Sequence, residues 1–318
     1  MRPRALPAIA AALTTAVVLA GCGSASSDSP APAGSGGTTG PKLKVVATTT
    51  QVADFARVVG GDRIELTQLL KPNVDPHDYE ASPADVAAIA GADVIVKNGV
   101  GLEAFLDPAI SSAGFSGLVV DSSKGVSVRP GNGSDEEKAG DPHIWHNPLN
   151  AKIMVRNIAD GLAAKDPQDK PAYESNVTAY AAKLDALDTD IRRQIDTLPA
   201  GQRKLVTNHD AFGYYVERYH LQFVGSIIPS FDTSAELSGK DLSNLVAKIK
   251  ATGVKAIFSE SSLPPKTADT VGREAGVTVV GGEDALYGDT LGPTGSDGDT
   301  YLKMEEHNTK TIVNALRG

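Results

Sequence analysis

Apolar residues along this chain fall into two alternating rhythms. Short runs rich in Val, Ile and Leu predict buried strands at 43–50 (LKVVATTT), 64–70 (IELTQLL), 93–99 (DVIVKNG) and 117–123 (GLVVDSS). Between them, VADFARVVGG and SPADVAAIAGA carry helical spacing. Each ends in or near glycine, and Ser82 stands where an N-cap belongs. Strands separated by helices predict parallel βα units. The same grammar returns after residue 200, with strands expected at 203–209 (RKLVTNH), 221–228 (LQFVGSII), 255–261 (KAIFSES) and 277–282 (VTVVGG). Helices are expected in SGKDLSNLVAKIKATG and PKTADTVGREAG.

Between these halves lies the longest periodic segment. From 169 to 198 the apolar positions are Tyr173, Val177, Tyr180, Leu184, Leu187, Ile191, Ile195 and Leu198, always three or four residues apart. That is one helix face held for about eight turns, about 45 Å of helix. The helix should begin near Asp166–Pro171 and must stop before Pro199. One apolar stripe serves either as a coiled-coil dimer seam or as a spine against two flanking domains. The spine is the expectation here, in a chain acting as a monomer. The predicted fold class is therefore α/β: two lobes with parallel sheets (42–166 and 199–318) joined by one long rigid helix (167–198), with a ligand site in the cleft between them.

The first residues break this grammar. Arg2 and Arg4 precede an apolar run from Ala5 to Ala20, too short for a comfortable membrane span. The run ends in Leu19-Ala20-Gly21-Cys22, which resembles the lipobox of bacterial lipoproteins. The resemblance implies a signal peptide at 1–21, cut before a lipid-bearing Cys22, and attachment to the extracytoplasmic face of the cell membrane. Cys22 is the chain's single cysteine, so no disulfide forms within a monomer. Residues 22–41, rich in Gly, Ser, Ala, Pro and Thr, read as a flexible tether. Loss of the leader removes two of the 30 Lys+Arg and none of the 39 Asp+Glu, leaving 28 − 39 = −11. Such a charge argues against nucleic acid and is compatible with a cation as the small partner.

Metal-binding side chains recur just after strands, where ligand sites sit in α/β sheets. Only six histidines occur. His77 follows the second strand in DPHDYE, His143 and His146 follow the fourth in DPHIWHNP, and His209 closes the first strand of the second half. Asp289 follows the last strand in GGEDALYGDTLG.

These residues bring a family into view. The segments KVVATTTQVADFARVVGGDRIELTQLLKPNVDPHDYEASPADV, DPHIW, LVTNHDAFGYY, IFSESSLPPK and LYGDTLG together resemble the zinc- and manganese-binding lipoproteins of bacterial ABC importers, the cluster A-I solute-binding family. The likeness spans nearly the whole mature chain. It implies two α/β lobes on one long helix, a permease with a cytoplasmic ATPase as partners, and His77, His143, His209 and Asp289 as metal ligands. Three imidazoles and a carboxylate suit four-coordinate Zn²⁺. Manganese members usually carry Glu where this chain has His209, so the expectation is zinc, with manganese the alternative. The His-rich loop of many zinc members is reduced here to GNGSDEEKAGD (131–141).

The expected function is thus a lipid-anchored receptor that captures an ion outside the cell membrane. It should act by small lobe shifts rather than a wide hinge, and bind less well as pH falls through about 6.5. A secreted zinc hydrolase and a surface adhesin are the competing classes. The hydrolase would need an open coordination position and a general base, and no His-Glu-x-x-His helix is present. Asp75 and Asp141 are placed as partners of the histidines or simply as Asp-Pro turn formers. Trp145, Ser259–Ser262 and residues 230–238 are expected to wall the site, and His220 and His307 to be ordinary surface histidines. Glu283 and Asp284 lie outside the YGD pattern. His146 is left between spare ligand, supporting group and exposed side chain.

Overall fold

The computed structural model describes residues 40–131, 137–235 and 237–317; Cys22 and the leader lie outside them. In chain order the elements of the first half are β1 (Leu43–Ala47), α1 (Thr50–Gly60), β2 (Ile64–Gln68), α2 (Pro83–Ala90), β3 (Val94–Lys97), α3 (Leu106–Ala113), β4 (Leu118–Asp121) and α4 (Pro148–Lys165). Next comes α5 (Lys170–Ile195). The second half holds β5 (Lys204–His209), α6 (Gly213–Tyr219), β6 (Gln222–Ile228), α7 (Gly239–Thr252), β7 (Ala256–Phe258), α8 (Lys266–Ala275), β8 (Thr278–Val280) and α9 (Tyr301–Arg317).

Both sheets are parallel and share one topology, β2-β1-β3-β4 and β6-β5-β7-β8. The strand order reverses between β1 and β3 in one lobe and between β5 and β7 in the other. Loops leaving the carboxyl ends of strands diverge at such points and open a crevice. Each sheet is covered on both faces, as parallel sheets require. Val46, Ile95, Leu70 and Ile89 form one outer cluster with Leu106 of α3, and Val206, Ile257, Leu245 and Ile249 form the other with Val271 of α8. The inner faces share one continuous core, in which Phe55, Trp145, Tyr173, Leu184, Phe212, Tyr215 and Tyr301 meet.

The central helix is α5, and all eight positions of its predicted stripe are buried. Its 26 residues give a length of about 39 Å. The helix ends at Ile195, three residues before the stripe does, because the chain turns through Leu198 into Pro199. Asp188 is also buried on α5, where Arg218 Nε (2.8 Å) and Tyr219 OH (3.0 Å) of α6 satisfy it. No helix among the described residues is long and apolar enough to cross a membrane.

Helix α9 was not legible in the hydrophobic pattern. Its buried face includes Tyr301, Glu305, Asn308, Thr309 and Thr311, and these polar residues blur the period that Met304, Ile312 and Leu316 would otherwise set. It packs on α5 and on α1, with the Phe55 and Tyr301 rings edge to face at 4.8 Å and Tyr301 N–H donating to Asp54 Oδ2 at 3.0 Å.

Candidate metal centre

Four side chains converge in the cleft between the lobes. One ligand atom from each of His77, His143, His209 and Asp289 lies within 4.8 Å of all the others. His143 Nε2 stands 3.1 Å from Asp289 Oδ1, His209 Nε2 stands 3.2 Å from Asp289 Oδ2, and the two Nε2 atoms are 3.2 Å apart. Bonds of 2.0–2.1 Å at tetrahedral angles put neighbouring ligand atoms roughly 3.3 Å apart, so these three sit at coordination spacing. His77 Nε2 is set back, 3.8 Å from Asp289 Oδ2. Both Asp289 oxygens and His77 Nε2 are buried without a hydrogen-bond partner. Buried polar atoms are normally paired, and a cation is a ligand that satisfies all of them at once.

Two of the four side chains, His143 and His209, have their rings fixed by the local fold. The second Asp-Pro-His turn is pinned by Asn98, at the end of β3, which donates from Nδ2 to Pro142 O at 2.9 Å. Asp141 Oδ1 accepts both the His143 backbone N–H (3.0 Å) and the Nδ1 side of its ring (2.8 Å). Asp141 is itself ion-paired with Arg129, which also reaches Glu217 Oε1 at 2.7 Å on α6. The arginine head occupies the space a side chain at Gly213 would need, which explains the glycine in NHDAFGYY. His209, the last residue of β5, presents Nδ1 to Glu260 just beyond β7, at 2.9–3.0 Å. In both rings Nδ1–H donates to a carboxylate, which turns Nε2 toward the centre, where it offers its lone pair once deprotonated. The first Asp-Pro-His turn differs: Asp75 holds the His77 backbone N–H (2.9 Å) and the Thr233 hydroxyl (2.7 Å) of the opposite lobe, not the ring.

The electrostatics follow this wiring. Burial alone would lower the His143 ring, but Asp141 and Asp289 outweigh it and raise it to about 9. Burial likewise opposes, and Asp289 and Glu260 override, so that His209 lies well above its ordinary value. For His77 burial, helped by the neighbouring His143 and His209, outweighs the more distant Asp289 and holds the ring down at about 4. Burial would raise Asp289, yet the rings of His209 and His143 keep it well below the usual carboxylate range. Burial and the neighbouring Asp289 push Asp75 up to about 6.

The remaining expected residues sort cleanly. Trp145 is fully buried, its ring 5.4 Å from that of His143. Phe231 walls the site at 6.4 Å from the same ring. Glu283 and Asp284 are exposed and outside the cluster. His220 is exposed at the end of α6. His307, expected on the surface, is half-buried with Nε2 donating to Ala285 O at 3.0 Å. His146 is not exposed and does not face the centre: it is wholly buried, with both ring nitrogens engaged elsewhere. Glu260 was expected only as part of the wall segment 259–262, not as the partner of His209, and Asn98 was missed. Asn98 directly follows β3 and Glu260 lies two residues past β7, each at the reversal of its sheet, the one signal that pointed to them.

Residues 45–315 match the model of the ZnuA family, described as zinc-uptake complex component A, periplasmic. The chain belongs to this family. It is 32% identical over 313 residues to the manganese ABC transporter substrate-binding lipoprotein PsaA of Streptococcus pneumoniae, covering 95% of this chain and 96% of that one. It is 33% identical over 286 residues to the iron ABC transporter substrate-binding lipoprotein MtsA of Streptococcus pyogenes, covering 86% and 89%. Among solved structures, the periplasmic zinc-binding protein TroA of Treponema pallidum superposes with a TM-score of 0.80 at 33% identity. That match covers 87% of this chain and 99% of TroA.

Proposed function

We propose that His77, His143, His209 and Asp289 together ligate the transported ion, and that Zn²⁺ is preferred over Mn²⁺. The chain is an extracytoplasmic metal-binding receptor of an ABC importer, and members of its family are transport substrate-binding proteins. The observation that carries the ligand assignment is the convergence of four donor atoms within 4.8 Å, drawn from both lobes. Zinc is favoured by donor chemistry: three imidazole nitrogens and one carboxylate fit its usual four-coordinate sites, and for a given nitrogen-rich site affinity for Zn²⁺ exceeds that for Mn²⁺. The manganese and iron named for the relatives PsaA and MtsA make those ions the alternatives.

Four donors fill a tetrahedron and leave no open position for activated water, so we read the centre as a capture site and not a catalytic one. The His77 side chain is 6% exposed and the other three are 0%, which makes His77 the ligand on the solvent side and the last to engage an incoming ion. A cavity of about 60 Å³ lined by His77, Leu102, Pro142, Phe231 and Asp232 leads there. Capture then needs only a short inward movement of His77, in keeping with a stiff α5. The loaded protein hands the ion to a membrane permease with its ATPase, and lipid on Cys22 keeps it beside them.

Competitive titration of the metal-free protein with Zn²⁺ and Mn²⁺ against a chromophoric chelator tests this. One Zn²⁺ per chain, bound more tightly than Mn²⁺, is expected. Preferential Mn²⁺ binding would overturn the zinc assignment, and unchanged Zn²⁺ affinity after alanine replacement of the four residues would overturn the site.

A further inference from the structure

His146 and Glu305 stand apart from the ligand set, yet both are wholly buried near it and hydrogen-bonded to each other. The His146 ring stacks on Phe212 with centroids 4.4 Å apart and planes 25° apart. Its Nδ1 lies 2.8 Å from Glu305 Oε1 on α9, and its Nε2 lies 3.0 Å from Gly288 O. A carbonyl oxygen only accepts, so Nε2 carries a proton and donates it, whichever partner holds the proton between Nδ1 and Glu305. Neither nitrogen is available to a metal. Trp145 Nε1 donates to the same carbonyl at 3.1 Å.

Gly288 precedes Asp289, and Trp145 and His146 belong to the turn that carries His143. Two N–H groups from the turn of one ligand therefore grip the peptide unit that leads into another, across the cleft. Asp289 swings about that peptide, so fixing the Gly288 carbonyl fixes where its carboxylate meets His143. On the far side, a side chain at Gly288 would collide with Glu260, the partner of His209, so the peptide is held between the supports of both histidines. Helix α9 aligns the arrangement through two further contacts: Tyr301 OH donates to Trp145 O at 2.7 Å, and Asn308 bonds Tyr287 N and O, each at 2.9 Å.

We propose that His146 and Glu305 form a buried brace that positions Asp289 through the Gly288 carbonyl and thereby sets how tightly and how long the ion is held. The inference rests on the metal-site reading above. The brace contributes no ligand; it acts on the centre by limiting where one ligand can go, as outer-shell partners do. Its upkeep is visible in Glu305 Oε2, buried with no hydrogen-bond partner. Replacing such a pair by apolar residues of similar volume is commonly neutral or stabilising to a fold. A structural role and a positioning role therefore predict opposite results.

The test compares wild type, His146→Leu/Glu305→Leu, Glu305→Leu and Glu305→Gln by Zn²⁺ titration against a chelating dye, by Zn²⁺ release under excess chelator, and by melting of the metal-free form. The double variant should bind Zn²⁺ about tenfold more weakly and release it correspondingly faster, at an unchanged or raised melting temperature. Glu305→Leu, which frees Nδ1, should follow it. Glu305→Gln donates to Nδ1 and keeps Nε2–H on the carbonyl, so it should stay close to wild type. If the double variant does not fold, the contrast between the two Glu305 variants decides alone. Zn²⁺ affinity and release equal to wild type in both leucine variants, or a lowered melting temperature with binding intact, overturns the brace. A wild-type chain that binds no metal overturns the site reading first, and is told apart by that.

Discussion

The two Asp-Pro-His turns are the same three residues in the same lobe, and the molecule uses them differently. In the second, Asp141 takes the ring of His143, is backed by Arg129, and the histidine is wholly buried. In the first, Asp75 ignores the ring and ties its own turn to Thr233 across the cleft, leaving His77 at the solvent edge and set back from its neighbours. On the reading proposed above, one turn supplies a ligand already in place, and the other a ligand that arrives with the ion. The tripeptide places a histidine near the site; what lies opposite its aspartate determines whether the ring is fixed. The contrast has a charge counterpart, with one ring raised to about 9 and the other lowered to about 4.

The largest expected effect is loss of a ligand. Structural zinc sites bind with about 10–16 kcal/mol across four ligands, so one ligand carries roughly 3–4 kcal/mol, on the order of a few hundred-fold in affinity. His143→Ala should lose that much in a Zn²⁺ titration. His77→Ala should lose distinctly less, because water enters readily at its place. Equal losses would remove the distinction between the turns. A smaller effect separates the aspartates: Asp141→Asn should weaken binding by about 10–100-fold, the usual penalty for losing the carboxylate behind a ligating histidine. Asp75→Asn should change affinity less and alter mainly the rates, read by stopped-flow capture and release, since it loosens a cross-cleft tie.

Most specific to the two raised rings is pH. His143 and His209 hold protons in the metal-free protein far above the ordinary histidine range, so Zn²⁺ must displace them. Affinity should climb with pH through about 9, with protons released as the ion binds, instead of levelling off near 6.5 as ordinary imidazoles would give. Metal-free stability carries the same asymmetry. The His143 value is raised above the unfolded 6.5, so its contribution is present in full below pH 6.5 and is lost as pH rises through about 9. The His77 value is depressed, so the unfolded chain takes the proton first, and stability falls as pH drops from 6.5 toward about 4. Melting of metal-free His77→Ala should lack the acid-side loss, and that of His143→Ala the alkaline one.

Much of this was legible in the chain. The eight strands and the α5 stripe follow from periodicity, because strands buried on both faces and one-sided helices leave strong apolar signals. The four converging residues were each marked by position after a strand and by their motifs. What stayed hidden has a physical reason in each case. Helix α9 buries polar residues, so its stripe is broken. Glu260 serves His209 only because β5 and β7 are neighbours in the sheet, a pairing that spans 51 residues. His146 was ambiguous because its partner Glu305 is 159 residues away, and nothing local says that its turn meets α9. Conversely, His307 sits among charges in sequence but tucks against Ala285 in space.

The central claim is that three imidazoles and one carboxylate, two of those rings fixed in advance, enclose the ion. X-ray absorption at the zinc K-edge of the 1:1 complex tests it most directly. The expected spectrum shows four nitrogen or oxygen donors at about 2.0–2.1 Å with the outer-shell scattering of three imidazoles, reduced by one imidazole in His77→Ala. A six-coordinate, oxygen-dominated shell, or a His143→Ala spectrum identical to wild type, would contradict it.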